Sequence, residues 1–330
     1  MRSADFERFK GLKALVVGDV MIDAYTIGMV ERMSPEAPVP VLTAKSRHER
    51  LGGAANVALN LKALGAEALV CSVIGDDEAG GRLIQLMKEQ GMEVVGLVGS
   101  NRRKTTVKHR ILDGHRQLLR IDDEDTLDLV ETEQAILCQV ISRFVNQEDI
   151  HVVVLQDYNK GVLTDALIKH IVALAKGKDI PIVVDPKKKN FFAYQDVTLF
   201  KPNAKELRGG LGVKVATPDE LRQAMLTLQE RIHCEYLMVT LSEQGVMMLH
   251  DGHFDHLPAY ERDVVDVSGA GDTVLSVAAL CVACGKVLDL TPKAIAQLSN
   301  IAGGLVCEQP GVVPIDRKRL VEEVNRIGHE

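Results

Sequence analysis

The segment Asp266–Thr273 reads DVSGAGDT and runs straight into the apolar stretch VLSVAALCVACG. Gly269 and Gly271 stand one residue apart at the start of a long apolar helix. They leave backbone N–H groups uncovered at the positive end of its dipole, which makes an anion cradle. Asp272 enters the same space from the first helical turn. A carboxylate is repelled by a phosphate, so it belongs there as a base or as a holder of metal; the alternative is a glycine-rich turn with Asp272 as helix cap. Val274 stands where the dinucleotide fingerprint GxGxxG needs its third glycine, and GxxxxGK[ST] occurs nowhere. Neither competing nucleotide motif is present.

A second glycine pair, Gly52–Gly53, opens GGAANVALNL. It lets the backbone approach a ligand closely, and Asn56 offers a hydroxyl both a donor and an acceptor. A tight turn before a helix accounts for the pair equally well. Other patterns are weaker. Cys281 and Cys284 form a lone CxxC in an apolar helical stretch, as core residues do. His250, His253 and His256 are spaced HxxHxxH, yet residues three apart on a strand face opposite sides, so one strand cannot offer all three to a metal. Asp122–Asp125 (DDED) reads as a solvated loop.

These residues need a scaffold, and short apolar runs alternating with helical patterns supply one. Leu15–Val17, Leu69–Ile74, Val152–Leu155, Ile182–Val184, Thr198–Phe200 and Leu237–Leu241 read as strands. Ala54–Leu64, with Val57, Leu61 and Leu64 on one face and a stop at Gly65, reads as a crossover helix. Such alternation predicts a parallel sheet. Asp19, Asp76, Asp157, Asp185, Asn203 and Ser242 each sit at or just past the C-terminal end of an apolar run, where open parallel sheets bind ligands. Tyr25–Arg47 and Arg102–Ile121 break the pattern and predict a small accessory sheet over that edge. Gly245–Leu257 reads as a hairpin turning at Asp251–Gly252.

The 330 residues carry 39 Lys and Arg against 46 Asp and Glu, a net charge of −7. No basic excess exists for nucleic acid, although a small phosphorylated ligand needs only a few local cations. The apolar stretches fall short of the ~20 residues of a membrane span. MRSADFERFKGLK carries charges where a signal peptide is apolar, and six cysteines in a chain of this size are no disulfide framework. A cytoplasmic protein is expected.

With GGAANVA and DVSGAGDT in this order, the chain resembles the ribokinase-like (PfkB) family of sugar kinases over essentially its whole length. KPNAKE, Lys201–Glu206, is similar to the family's NxxE motif. GDVMIDAYTIG (Gly18–Gly28), SPEAPVPVL (Ser34–Leu42), DYNKGVL (Asp157–Leu163) and DPKKKNF (Asp185–Phe191) further resemble the heptose-7-phosphate kinases of lipopolysaccharide-core biosynthesis. Ser268 stands where relatives usually have Thr, and Lys188–Lys189 extend a basic run where Gly is common.

The resemblance implies one α/β ribokinase-like domain over residues 1–330. Its three layers would hold a mostly parallel central sheet between helices, with a small β-sheet lid from about 25–47 and 102–121. The implied reaction is ATP-dependent phosphorylation of the anomeric hydroxyl of D-glycero-D-manno-heptose 7-phosphate to the 1,7-bisphosphate. Asp272 would be the general base, and the backbone of Gly269, Ala270 and Gly271 the anion hole. Asn203 and Glu206 would hold Mg²⁺–ATP, the carboxylate acting through water, with Thr240, Ser242, Gly245 and Asn300 on the nucleotide. Asp19, Asp23, Gly52, Gly53 and Asn56 would meet sugar hydroxyls. Lys108, Arg110, Arg120 and Lys187 are the cations expected for the sugar's phosphate. Asp185 reads as a substrate-side or second metal partner, or as a strand-end cap. K⁺ dependence is left open, and pairing of lids implies a homodimer. A chain ending at Glu330 reads as the stand-alone kinase, without the adenylyltransferase that many bacteria fuse to it. The alternatives are a kinase of another sugar or phosphosugar, such as fructose 1-phosphate or ribose, and a non-catalytic sugar-nucleotide sensor. A sensor is expected to lose its base or its NxxE; both are present.

Overall fold

Val152–Gln156 and Ile182–Asp185 are buried at every position, as strands covered on both faces must be. They lie in the middle of a computed structural model that describes residues 3–288 and 290–327. The start of the N-terminal segment at Met1–Arg2, Asp289 and the chain end at Glu330 lie outside the described residues.

In chain order, β1 (Lys13–Gly18) leads into two long strands, β2 (Val20–Met33) and β3 (Pro40–Gly53). The helix Ala54–Ala63 returns to β4 (Glu67–Gly75), and Glu78–Glu89 connects it to β5 (Leu97–Ser100). β6 (Thr106–Asp113) and β7 (Arg116–Asp123) precede the helix Glu131–Gln147. Then come β8 (Val152–Gln156), the helix Asp165–Lys176, β9 (Ile182–Asp185) and β10 (Leu199–Phe200). The helices Ala204–Leu211 and Pro218–Ile232 lead to β11 (Tyr236–Thr240) and the hairpin of β12 (Val246–His250) and β13 (His253–Leu257). The helices Ala270–Leu288, Pro292–Val306 and Arg317–Ile327 follow.

Among the described residues the larger sheet has nine strands in the order β13-β12-β11-β10-β9-β8-β1-β4-β5. It is parallel from β11 to β5, and β12 and β13 join it antiparallel. Period-two alternation sends Ala14, Val16, Val152 and Val154 to one face and Leu15, Val17, Val153 and Leu155 to the other. The first face packs on Ala54–Ala63, Ala270–Leu288 and Pro292–Val306, the second on Glu131–Gln147, Asp165–Lys176 and Pro218–Ile232. This is the expected three-layer α/β fold. Asp251 and Gly252, both at positive φ, make the hairpin turn between β12 and β13.

The smaller sheet runs β3-β2-β6-β7, with β2 and β6 parallel. It begins at Val20 and ends at Asp123, beyond the segments 25–47 and 102–121 read from the sequence. The reason is physical: Val20–Tyr25 is as buried as a core strand, so polarity does not mark where β2 starts. Its far end also takes in Asp122 and Asp123, so the first half of DDED is strand rather than solvated loop.

Candidate active site

Asp272 lies buried in the first turn of the helix Ala270–Leu288. Three elements send a donor to its carboxylate. Asn56 Nδ2, from the helix after the Gly52–Gly53 pair, donates to Oδ2 at 2.7 Å. Gln156 Nε2, at the end of β8, donates to Oδ1 at 3.1 Å, and the Tyr158 hydroxyl does so at 2.8 Å. Burial pushes the Asp272 acid up to about 6, against the lowering pull of Asn56 and Tyr158. Such a carboxylate is ionised near neutrality yet basic enough to take a proton.

Asp272 is not the cap of its helix. Asp266 closes the preceding turn, accepting from the N–H groups of Ser268 and Gly311 at 2.9 Å each. Gly269 adopts φ +82°, and a Cβ there would come within 3.1 Å of Asn56 Nδ2 and 3.2 Å of Val312. Glycine is therefore needed both for the turn and for the approach to Asn56. Asn60 fixes Asn56 from below, donating to its backbone oxygen at 2.9 Å and its Oδ1 at 3.2 Å, and accepts from the Thr273 hydroxyl.

On the other side of the glycine turn lies a chain of ions. Lys201 Nζ is 2.9 Å from Asp185 Oδ2, Lys187 Nζ is 3.3 Å from Asp185 Oδ1, and the same ammonium is 2.5 Å from Glu206 Oε1. Burial would raise the Asp185 acid, but Lys187 and Lys201 outweigh it and hold the carboxyl below its usual range. A Cβ on Gly271 would lie 3.9 Å from both Asp185 Oδ2 and Lys201 Nζ, so turn and ion chain are neighbours. Asn203 and Glu206 form a reciprocal capping box, each backbone N–H meeting the other's side chain at 2.8 Å. Asn203 also bridges Thr240 at the end of β11. Ser242 and Gly245, both at positive φ, form the tight turn that follows.

The sugar-side candidates divide. Asp19 is buried, and its carboxylate accepts the N–H groups of Tyr158, Lys160 and Val162 at 2.7, 3.1 and 3.1 Å. Its visible work is to hold the loop that carries Tyr158. Asp23 pairs with Arg110, and a Cβ on Gly52 would fall 2.2 Å from Asp23 Oδ2, so only glycine admits that carboxylate. Gly53, at φ +59°, caps the helix of Asn56. Register sets Arg50 and Lys108 opposite Asp23, Arg110 opposite Tyr25, and Arg120 opposite Arg110. These side chains share one face of the smaller sheet. Lys108 is paired with Asp122 at 3.3 Å and Glu124 at 3.2 Å, and Arg120 forks onto Asp122 at 2.7 and 2.8 Å. The DDED segment is thus a counter-ion strip for this face.

Some candidates lie elsewhere. Asn300 donates to the carbonyls of Leu257 and Pro258 and pins the chain leaving β13. Lys187 sits in the ion chain beside Glu206, not with the cations of the smaller sheet. His250 stacks on Tyr236, His253 faces the Asp251 carbonyl, and His256 faces that of Gln244. Cys281 and Cys284 are buried in the helix of Asp272. Gln156, Tyr158, Lys201 and Arg50 were missed as site residues. The available signal for two of them was position, since Gln156 and Tyr158 flank Asp157 at a strand end.

The model of the pfkB family of carbohydrate kinases matches residues 12–318. The chain belongs to the PfkB family. Similar proteins include the bifunctional protein HldE of Syntrophotalea carbinolica, 40% identical over 316 residues that make up 96% of this chain and 63% of that protein. The HldE of Campylobacter fetus is 37% identical over 301 residues, 91% of this chain and 64% of that one. The chain thus spans less than two thirds of the curated relatives it matches. Among solved structures, phosphofructokinase-2 from Escherichia coli in complex with potassium matches with TM-score 0.78 at 17% identity, covering 97% of this chain and 99% of that one. Arabidopsis thaliana ribokinase complexed with ribose and ATP gives 0.72 at 18% identity, covering 94% and 98%. This PfkB chain is an ATP-dependent sugar kinase with the ribokinase-like fold.

Mg²⁺ fits the donors of such a kinase here. Asp185 and Glu206 are hard carboxylates beside the glycine turn, and Mg²⁺ bound with substrate phosphates takes one or two carboxylates while keeping waters. Among the described residues no group of three or more His, Cys, Asp or Glu side chains is placed to hold a metal ion. No helix among them is long and apolar enough to cross a membrane.

Proposed function

We propose that the chain phosphorylates the anomeric hydroxyl of D-glycero-D-manno-heptose 7-phosphate to the 1,7-bisphosphate, in the supply of ADP-heptose for lipopolysaccharide core. One observation carries the reading: a buried carboxylate with its acid near 6 flanks a glycine turn whose other flank is the Asn203–Glu206 box with its ion chain. Base and phosphate cradle are adjacent, as in-line transfer to a hydroxyl requires.

Asp272 takes the proton of the sugar hydroxyl, and the N–H groups of Gly269 and Gly271 meet the charge on the transferred phosphoryl group, that of Ala270 being given to the Val267 carbonyl at 3.3 Å. Asn203 and Glu206, with Asp185 nearby, would hold Mg²⁺–ATP, and the metal would neutralise charge on the phosphates. Thr240, Ser242 and Gly245 line the nucleotide, and Asn300 shapes its far wall through Leu257 and Pro258. Asp23, Gly52, Gly53 and Asn56 orient the sugar, while Asp19 acts through the Tyr158 loop. Arg50, Lys108, Arg110 and Arg120 exceed their counter-ions Asp23, Asp122 and Glu124 by one charge, which favours a substrate with its own phosphate. A heptose phosphate is chosen over other phosphosugars on the likeness to the kinase-length part of the HldE proteins. We further read the enzyme as cytoplasmic and homodimeric, the latter from the exposed Leu119 and Ile121 on the face of β7 opposite Arg120.

The test is product analysis. Phosphorus NMR of a turnover mixture should show a second phosphate on C1 of the heptose; a phosphate on any other carbon overturns the regiochemistry.

A further inference from the structure

Lys187 is held on the nucleotide-side acids rather than with the cations of the smaller sheet. Its ammonium bridges two carboxylates of different elements, Asp185 at the end of β9 and Glu206 in the capping box. It also stands 5.3 Å from the centroid of the Tyr158 ring, over its face, and the hydroxyl of that ring donates to Asp272. One cation therefore spans the gap between the nucleotide-side acid and the base. Its neighbour Lys201 is different. The Lys201 side chain is 3% exposed and fixed on Asp185, whereas that of Lys187 is 25% exposed and reaches open space.

Charge completes the argument. Asp185 and Glu206 without cations would repel a triphosphate, and Lys187 with Lys201 cancels them in the nucleotide-free protein. Once those carboxylates hold Mg²⁺, Lys187 has no reason to stay on them, and phosphate oxygens are the nearest stronger partner. We propose that Lys187 is a catalytic cation of the phosphoryl group in transit: counter-ion of Asp185 and Glu206 in the free protein, partner of the transferring phosphate in the loaded one. The step balances without it. The bond from the γ-phosphorus to ADP breaks as the bond to the sugar oxygen forms, and the hydroxyl proton passes to Asp272. Lys187 partners the oxygens that carry the charge. This assigns it away from the sugar's own phosphate, and it rests on the kinase reading above.

The experiment uses the whole chain with Lys187→Met and Lys187→Arg, both checked for an unchanged melting transition. Two quantities are read: steady-state kinetics with sugar phosphate and Mg²⁺–ATP varied separately, and Mn²⁺ binding to nucleotide-free protein by electron paramagnetic resonance. In Lys187→Met, kcat should fall by about 10²- to 10³-fold, the loss typical of one transition-state donor, with the sugar KM little changed. Mn²⁺ should bind roughly tenfold tighter, because no ammonium competes for Asp185 and Glu206. Lys187→Arg should recover part of kcat. A raised sugar KM with kcat intact overturns the proposal in favour of the sugar's phosphate. A lowered kcat with unchanged Mn²⁺ affinity overturns the exchange, and an intact kcat overturns the catalytic role whatever the metal does. If wild type prefers another sugar, the heptose reading falls and the comparison is run on that sugar. If wild type is silent on every sugar, the kinase reading falls, and unchanged Mn²⁺ affinity in Lys187→Met separately overturns the exchange.

Discussion

The Tyr158 hydroxyl donates to Asp272 Oδ1 across 2.8 Å, tying the loop after β8 to the first turn of the helix Ala270–Leu288. Asp19 anchors that loop from beneath through three backbone N–H groups, so the Asp272 carboxylate is positioned by residues far from it in sequence.

This hydrogen bond favours the ionised carboxylate, and losing it should raise the Asp272 acid above its value of about 6. Tyr158→Phe is therefore expected to move the acid limb of kcat/KM to higher pH, with a larger loss at pH 6 than at pH 8. A pH–rate profile checks this; an unmoved limb contradicts the coupling.

The same burial makes Asp272 a stability liability when ionised. Its folded acid, near 6, lies above its ordinary value of 3.8, so the group favours the fold below about 3.8, and this contribution is lost as pH rises through 6. Asp272→Asn has no such loss. The difference in unfolding free energy between variant and wild type should shift towards the variant by up to about 3 kcal/mol from pH 4 to pH 7. Denaturant titrations at the two pH values read it directly, and a constant difference contradicts the raised acid.

Gly52 is required by the carboxylate it faces. The Cβ of Gly52→Ala would fall 2.2 Å from Asp23 Oδ2, forcing Asp23 off Arg110. A lost charge-assisted contact predicts a sugar KM raised about tenfold to a hundredfold, with KM for ATP little changed.

The cations of the smaller sheet should separate by partner. Arg110 lies against buried Asp23, whereas the Arg120 side chain is 46% exposed and held by Asp122. Alanine at Lys108, Arg110 or Arg120 should raise KM for the phosphosugar more than for ATP, most at Arg110. Equal effects on both substrates would remove these residues from the sugar side.

Much of the fold was legible because continuous apolar runs such as Val152–Gln156, buried at every position, are read alike from sequence and from burial. The glycine turn, the Asn203–Glu206 box and Asn56 were legible for a related reason, since their chemistry depends on short spacings. What escaped depends on pairing between distant strands. Asp19 looked like a ligand for hydroxyls because nothing in its own segment shows the three N–H groups that occupy it. Lys187 looked like a member of a basic run, and only the meeting of β9 with the capping box gives it Asp185 and Glu206. The start of β2 was hidden because a buried strand of the smaller sheet has the polarity of the core.

The central claim is a heptose-phosphate kinase with Asp272 as base. A coupled ADP-release assay with Mg²⁺–ATP, with and without K⁺, tests it most directly. It compares D-glycero-D-manno-heptose 7-phosphate with ribose, fructose, fructose 6-phosphate and fructose 1-phosphate, for wild type and Asp272→Asn. Turnover confined to the heptose phosphate and abolished in the variant is the predicted result. Turnover of another sugar contradicts the substrate, and more than a few per cent of wild-type kcat in Asp272→Asn contradicts the base.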